Sequence, residues 1–284
     1  LPTFSLFLSL VRNFSPTPQL LWVLCCHDGF VLSSYIVNQH SRFIMRLSTL
    51  ALACCTLFLM NTNLHAAKAP NIILFLADDL GWGDLACFGN KLCKTPNLDA
   101  FAKQGAKFTQ CYSAGAVCSP SRSALLTGRT PYRNGVFTWI PENREIHLRK
   151  SELALPLLLK QVGYTTCHVG KWHLGEEGNH PEDQGFDINI GGNDLGQPPS
   201  YFDPYLAKNA APTYVLKNVP PRKEGEFLTD REGDEIVKFI QNRPGQFFIH
   251  WAPYAVHTPI MGTEDLVEKY QGKSPGIQRN PTYA

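Results

Sequence analysis

A short segment that begins at Cys118 carries a nucleophile and a cation at a spacing that suits one active site. Its sequence is Cys118-Ser119-Pro120-Ser121-Arg122. Pro120 begins a predicted helix, so a thiolate or a bound anion at Cys118 would meet free backbone N–H groups and the positive end of the helix dipole. Arg122 lies four residues further on and would share a helix face with Cys118. This pattern suits a cysteine nucleophile beside a guanidinium that holds an anion in a fork.

Two adjacent aspartates, Asp78 and Asp79, directly follow the apolar run 71–77. A continuous run of this kind is typical of a strand buried on both faces. Neighbouring carboxylates repel one another, and burying them without compensation is costly. A hard divalent cation would neutralise both, and oxygen ligands favour Ca²⁺, or alternatively Mg²⁺, over zinc. For an isolated pair, a solvated turn that caps a helix is the alternative.

The glycine-flanked run 170–175 places a cation, Lys171, two residues before an imidazole, His173. Side chains two residues apart in an extended chain face the same way. The lysine could therefore stabilise an anion while the histidine bonds a hydroxyl or transfers a proton. His257 follows another apolar run, and it begins the short run 257–259 (His-Thr-Pro). A structural histidine is the alternative for both, and it is our interpretation of His168, His180 and His250.

Apolar runs alternate along the chain with helix-like stretches. Strands are predicted at 71–77, 107–112, 164–169 and 246–252. Helices are predicted from Pro96 to Gly105, over 120–126 and 156–162, and from a capping box at 229–232; residues 176–225 are predicted as long loops. The alternation predicts an α/β fold with a largely parallel sheet. Because ligands bind beyond the carboxyl ends of such strands, the candidate site residues should meet at one edge.

Taken together, these motifs resemble a known family. The run 118–129, from Cys118 to Arg129, resembles the signature of the type I sulfatases, and the run 78–84 resembles the metal motif near their N-terminus. The run Gly170-Lys171-Trp172-His173-Leu174-Gly175 is similar to a motif of the same family. Between residues 78 and 175 the sequence looks most like the arylsulfatase and N-acetylgalactosamine-6-sulfatase branch. Long ordered motifs are more specific than single ones.

The resemblance implies a particular chemistry. Cys118 would be oxidised to formylglycine (3-oxoalanine) by a formylglycine-generating enzyme, and its hydrate would carry two hydroxyls. One hydroxyl, activated by calcium held at Asp78, Asp79 and residue 118, would attack sulfur. The other would then expel sulfate as the aldehyde re-forms. Arg122 and Lys171 would hold the hydrate or the sulfate, His173 would bind the nucleophile, and His257 would protonate the leaving oxygen of a sulfated carbohydrate or aryl sulfate.

The resemblance also bears on how much of the protein is present. It implies an alkaline-phosphatase-like α/β fold, with a mixed, largely parallel sheet flanked by helices. Residues 68–284 would be the N-terminal part of the catalytic domain, and the small C-terminal domain would be missing. Family members take a second pair of metal ligands and another lysine from further along the chain. We therefore expect the 284-residue chain alone to bind calcium poorly and to turn over substrate slowly.

Composition excludes several other classes. The formal net charge is +2 with no basic block, which argues against nucleic acid. No Cys-x-x-Cys pair occurs, so a zinc knuckle or a thioredoxin-type dithiol is not indicated. The basic start at Met45, the short apolar run and the small residues before 68 predict a signal peptide at 45–67 and a secreted or periplasmic protein without stable membrane insertion. Residues 1–44 are interpreted as upstream sequence from an overcalled start.

Two alternatives remain open at this stage. Related hydrolases use the same formylglycine on phosphonates or phosphodiesters, whose charge differs from that of a sulfate ester. A non-catalytic fragment that binds sulfated glycans is the other. The modification state of Cys118 separates the enzymes from the binding fragment, and matched sulfate and phosphate esters separate the two enzymes.

Overall fold

The computed structural model describes residues 69–141, 145–205, 216, 218–219, 223–242, 245–273 and 280–284. They belong to one compact unit that spans 67–284. The predicted upstream segment and signal peptide lie outside the described residues. The strands are β1 (Ile72–Phe75), β2 (Thr165–Gly170), β3 (Ile188–Ile190) and β4 (Phe247–Ala252). The α-helices are α1 (Pro96–Gln104), α2 (Cys118–Thr127), α3 (Pro131–Asn134), α4 (Leu155–Gln161), α5 (Leu228–Gln241) and α6 (Glu264–Tyr270), with 3-10 turns at Ala86–Phe88 and Pro181–Gln184.

The four strands form one parallel sheet in the order β1-β4-β2-β3. The register places Ile249 of β4 between Ile73 of β1 and Cys167 of β2. All strands run the same way, so their carboxyl ends lie along one edge. The prediction of an α/β fold with a largely parallel sheet is confirmed.

Each face of the sheet contributes to a different part of the core, because successive side chains of a strand point to opposite faces. Phe248 packs with Leu126 of α2 and with Trp172 on one face. Phe247 and Ile249, its neighbours along β4, pack on the other face with side chains of α5. The inward-facing residues predicted for α5, Ile236, Phe239 and Ile240, all contact this second cluster. The two clusters pack helices against both faces of the sheet at β2 and β4, the strands that precede Lys171 and His257.

Residues 107–112 were predicted as a strand, and that prediction is wrong. The segment is irregular and joins no ladder. The side chains of Phe108 and Tyr112 are 70% and 84% exposed. The apolar residues of this segment therefore do not form the buried face that a strand would have. Cys118 is therefore positioned by the start of α2, not by a strand end.

Two smaller predictions also need correction. The capping box at 229–232 does not form, because α5 begins one residue before it, at Leu228, with Phe227 as its N-cap and no side-chain cap. Glu232 turns inward instead, and its side chain accepts a hydrogen bond from the Trp251 indole. The segment 176–225 is not loop throughout, since it contains β3 and a 3-10 turn.

Gly170 ends β2 immediately before Lys171, and a side chain there would meet the neighbouring strand. Its φ is +95°, and a Cβ would overlap the backbone carbonyl of Ala252. We expect Gly170→Ala to lower the free energy of unfolding by at least about 2 kcal/mol, from overpacking and a left-handed backbone. Gly233→Ala is the matched control, because Gly233 has open space in the middle of α5 and should gain about 0.5–1 kcal/mol. Equal midpoints of urea unfolding for the two variants would contradict the conclusion that Gly170 has no room for a side chain.

No helix within the described ranges has the length and apolar character needed to cross a membrane. In the same part of the chain no disulfide joins the cysteines, which are Cys87, Cys93, Cys111, Cys118 and Cys167.

Candidate active site

Asp78 is held at the edge of the sheet by backbone and side-chain contacts. Its N–H donates to the carbonyl of Ala255 at 3.1 Å, and its carbonyl accepts from the N–H of Val256 at 2.9 Å. This pairing continues the contact of β1 with β4 beyond both strands. The Asp78 side chain is only 7% exposed, and its carboxylate bonds the Lys171 ammonium and lies 3.4 Å from the Arg122 guanidinium.

Two buried cations thus share one carboxylate. Burial alone would raise the pKa of Asp78, but Arg122 and Lys171 together leave that pKa below its ordinary value. Burial and the repulsion of Arg122 lower the pKa of Lys171, against the attraction of Asp78. An anion placed beside the pair would meet uncompensated positive charge.

Arg122 has hydrogen-bonding capacity that the protein leaves unused. The helix α2 carries it inward, and it is 1% exposed. One terminal nitrogen donates to the Lys171 carbonyl at 2.8 Å. Its Nε and the other terminal nitrogen are buried and make no hydrogen bond within the described residues, although the terminal nitrogen is the atom that lies 3.4 Å from the Asp78 carboxylate. Unpaired buried N–H groups are costly, so these donors point to an oxygen-rich ligand.

His173 is fixed in one tautomer. Its Nε2 lies 2.8 Å from the Ile140 carbonyl, which can only accept, so Nε2 carries the proton. Its Nδ1 is then a bare acceptor, buried without a hydrogen-bond partner in the described part of the chain. Burial, with a further contribution from Lys171, lowers the pKa of His173 to about 4. The ring is therefore a neutral acceptor near neutral pH.

The backbone at His173 departs from the sequence-based expectation. Its φ is +56°, in the left-handed region, so the chain is not extended from Lys171 to His173. The prediction that the two side chains face the same way on an extended chain is wrong. The His173 N–H donates to the Asn193 carbonyl at 3.0 Å, and this bond and the Ile140 contact hold the turn.

Asp79 and His257 form a second, more open pair. The Asp79 carboxylate lies 3.6 Å from Nε2 of His257, and the two side chains are 67% and 20% exposed. Nδ1 of His257 donates to the Thr258 carbonyl at 2.9 Å, which leaves Nε2 turned toward the aspartate. The Tyr201 hydroxyl donates to the His257 carbonyl at 2.9 Å and holds the loop after β4.

Cys118 is the first residue of α2, with Val117 as its N-cap. It lines a cavity of about 280 Å³ together with Asp78, Asp79 and Arg122. Two of the remaining predicted residues pair with this group: Lys171 contacts Asp78, and His257 lies 3.6 Å from Asp79. His257 also lines a second cavity of about 300 Å³ with Tyr201 and residues of α6. The structure therefore brings the predicted residues to one edge, as linked pairs around the cavity.

The donor set suits a hard cation in part. Asp78 and Asp79 supply carboxylate oxygens on one side of the cavity, which Ca²⁺ and Mg²⁺ prefer. Among the residues that the structure describes, no group of three or more His, Cys, Asp or Glu could hold a metal ion. The two aspartates fit a cation that takes its other ligands from elsewhere.

Several supporting residues were not predicted from sequence. Ile140 and Asn193 act through backbone carbonyls, which leave no trace in the residue type. Tyr201 lies in a loop-rich segment with no motif around it. The histidines interpreted as structural lie away from the cavity. His180 is the N-cap of a 3-10 turn, and its N–H donates to Asp183 at 3.0 Å.

His168 and His250 form a pair in the core. They are cross-strand neighbours on β2 and β4, and their Nδ1 atoms lie 3.0 Å apart. Nε2 of His168 donates to the Gly170 carbonyl at 3.0 Å, so its Nδ1 must accept from Nδ1 of His250. Nε2 of His250 is left as a bare, buried acceptor among the described residues. Both rings are neutral in this arrangement.

Comparison with known proteins decides the family. The Sulfatase family model matches residues 70–283. The chain belongs to the sulfatase family. It is 41% identical over 226 residues to an N-acetylgalactosamine-6-sulfatase of Mus musculus, an alignment that covers 71% of this chain and 42% of that protein. This sulfatase chain thus spans less than half the length of that curated relative.

Solved structures agree with the fold of this sulfatase chain. A crystal structure of Ps i-CgsB with k-i-k-neocarrahexaose matches at a TM-score of 0.65 and 31% identity, covering 76% of this chain and 51% of that one. A phosphonate monoester hydrolase of Agrobacterium radiobacter matches at 0.51 and 20% identity, covering 71% and 44%. The second likeness shows the fold alone.

Proposed function

We propose that the whole protein hydrolyses sulfate esters of a carbohydrate, with residue 118 as the nucleophile. The observation that carries the proposal is the pair of buried cations beside Cys118. Arg122 and Lys171 share the single charge of Asp78, and the guanidinium keeps N–H groups that make no hydrogen bond to any described residue. A bound sulfate would supply both the missing charge and the missing acceptors.

The other side chains take roles that follow from their protonation states. A formylglycine at position 118 would supply a hydrate with two hydroxyls. The bare Nδ1 of neutral His173 can accept a proton from a hydroxyl of the nucleophile. Nε2 of His257, beside Asp79, can hold and donate a proton to the leaving oxygen. A Ca²⁺ ion at Asp78 and Asp79 would add Lewis-acid stabilisation of the developing charge.

The names of similar proteins favour a sulfated sugar as the substrate. The Mus musculus relative is an N-acetylgalactosamine-6-sulfatase, and the Ps i-CgsB structure holds a neocarrahexaose. An aryl sulfate is the simpler model substrate. The proposal includes a formylglycine-generating enzyme as a partner and a secreted or periplasmic location.

Mass spectrometry of the peptide around residue 118 tests the nucleophile. In a host that makes formylglycine, we expect the mass change for replacing the thiol by a carbonyl oxygen. Cys118→Ala should remove both this signal and turnover in the protein of full natural length, whereas Cys111→Ala, at an exposed thiol, should keep both. A fully unmodified thiol at residue 118 in that host would overturn the proposal.

A matched set of esters tests the reaction. We expect an aryl sulfate and N-acetylgalactosamine-6-sulfate to be cleaved faster than the corresponding phosphate esters. A sulfate ester carries one negative charge, whereas a phosphate monoester approaches two near neutral pH. Faster cleavage of phosphonates or phosphodiesters would support that class instead. Glycan binding without any turnover would support a binding protein.

A further inference from the structure

The turn that follows Asp79 is closed by an aspartate outside the candidate site. Oδ2 of Asp84 accepts the Gly81 N–H at 2.8 Å, and the Asp84 N–H donates to the Gly81 carbonyl at 3.0 Å. A Cβ at Gly81 would lie 3.1 Å from Cγ of Asp84, which is closer than ordinary packing. The turn therefore depends on this carboxylate and on the glycine opposite it.

A distant tyrosine supports the same carboxylate. The hydroxyl of Tyr283 lies 2.6 Å from Oδ2 of Asp84 and 3.5 Å from the carbonyl of Asp79. A phenol has one proton, and the shorter contact is the stronger, so the tyrosine donates to Asp84. The Tyr283 N–H donates to the Asn280 carbonyl at 3.2 Å, which fixes the tyrosine in its own turn.

Asp79 needs such support because its own side chain has little. Asp78 is held by two buried cations, whereas Asp79 is 67% exposed and pairs with His257, at 3.6 Å, among the described residues. Its φ of +57° is a conformation that an unsupported aspartate adopts at a cost. The backbone that follows Asp79, in the Gly81–Asp84 turn, must therefore hold Asp79 in place.

We propose that Asp84 and Tyr283 are positioning residues that brace the Gly81–Asp84 turn and thereby hold the Asp79 carboxylate ready for a divalent cation. The inference rests on the cation site of the proposed function, but not on turnover. The two residues of the brace lie 199 positions apart in the sequence. It thus couples the far end of the described chain to the candidate metal loop.

Titration of the protein of full natural length with Tb³⁺, a luminescent substitute for Ca²⁺, tests the brace. Trp82 lies within the turn and is 68% exposed, so excitation of its indole should sensitise Tb³⁺ bound beside it. We expect Tyr283→Phe to weaken Tb³⁺ binding about three- to tenfold, the effect of losing one hydrogen bond of ordinary strength. The Gly81 amide should also exchange its hydrogen faster. Tyr132→Phe, at an 88% exposed tyrosine, is the matched control and should change neither.

Two substitutions of Asp84 separate positioning from ligation. Asp84→Asn keeps an acceptor for Gly81 and Tyr283, so it should bind Tb³⁺ within about threefold of the parent. Asp84→Leu removes the acceptor and should weaken binding at least about tenfold. An Asn variant as weak as the Leu variant would indicate that Asp84 ligates the cation directly, which overturns the positioning role.

The remaining outcomes are also decisive. Unchanged Tb³⁺ affinity and unchanged amide exchange in Tyr283→Phe overturn the brace, and so does a parent protein that binds no Tb³⁺. A protein that shows the expected Tb³⁺ pattern but cleaves no sulfate ester refutes the proposed function and leaves the brace standing.

Discussion

Asp78→Ala is expected to lower the free energy of unfolding by about 3–5 kcal/mol, the usual cost of removing one partner from a buried ion pair. The aspartate is the shared counter-charge of Lys171 and Arg122, whose side chains are 0% and 2% exposed. Without it, two like charges face each other in the core. Urea unfolding at neutral pH, with divalent cations removed by a chelator, measures the loss.

The neighbouring residue is the matched control. Asp79→Ala removes a 67% exposed carboxylate whose contact is a long one to His257. Exposed pairs contribute about 0–1 kcal/mol, so its unfolding midpoint should stay close to that of the parent. Both variants should lose affinity for Tb³⁺. Equal destabilisation by the two substitutions would show that Asp78 does not carry the buried ion pair.

The His168–His250 pair is expected to make the domain sensitive to acid. Burial lowers the pKa of His168 to about 3 and that of His250 well below its ordinary value. Both pKa values are lower in the folded state, so the unfolded state binds protons first as the pH falls. The stabilisation is complete above about pH 6.5 and is lost progressively from there down to about pH 3.

The loss of stability expected from His168 is large for a single residue. A shift from about 6.5 to about 3 corresponds to roughly 5 kcal/mol for His168 alone, within the range of a whole domain's stability. Unfolding followed by tryptophan fluorescence in urea, from pH 7.5 to pH 4.5, should show a steady fall in the unfolding midpoint. The Asp78 ion pair begins to lose its contribution only as the pH falls below 3.8, the ordinary pKa of that carboxylate, which is beneath the pH range of this measurement.

A double variant identifies the source. His168→Leu with His250→Phe removes both rings and should make the profile between pH 6.5 and 4.5 less steep, leaving the smaller slope that the low pKa of His173 contributes. His147→Gln, at a half-buried histidine outside the core clusters, should leave the parent profile unchanged. A double variant with the parent slope would place the acid sensitivity elsewhere.

Much of the fold was predictable from strand-like runs, of which 71–77 is continuously apolar. The segments 71–77 and 246–252 each contain an observed strand, and the segment 164–169 overlaps β2. The strand predicted at 107–112 failed because alternation predicts a strand only where one face is covered. The strand β3 was missed because three residues among glycines and asparagines carry too short a pattern.

The sequence predicted which residues belong to the candidate site, but not the contacts between them. Motif spacing indicated Asp78, Arg122 and Lys171 as neighbours of one edge, but not that one carboxylate would serve both cations. The left-handed turn at His173 and its bond to Ile140 depend on tertiary contacts that no local pattern encodes. The Asp84–Tyr283 bond joins segments too distant for any local signal.

The contact of Lys171 with Asp78 has a consequence for the order of events in the life of the protein. The ammonium already neutralises the carboxylate that a cation would otherwise have to neutralise during folding. Under the proposed function, the domain could reach its compact state before a cation binds. A cation at Asp78 would then replace an existing buried counter-charge, and Lys171 would be left to face the sulfate.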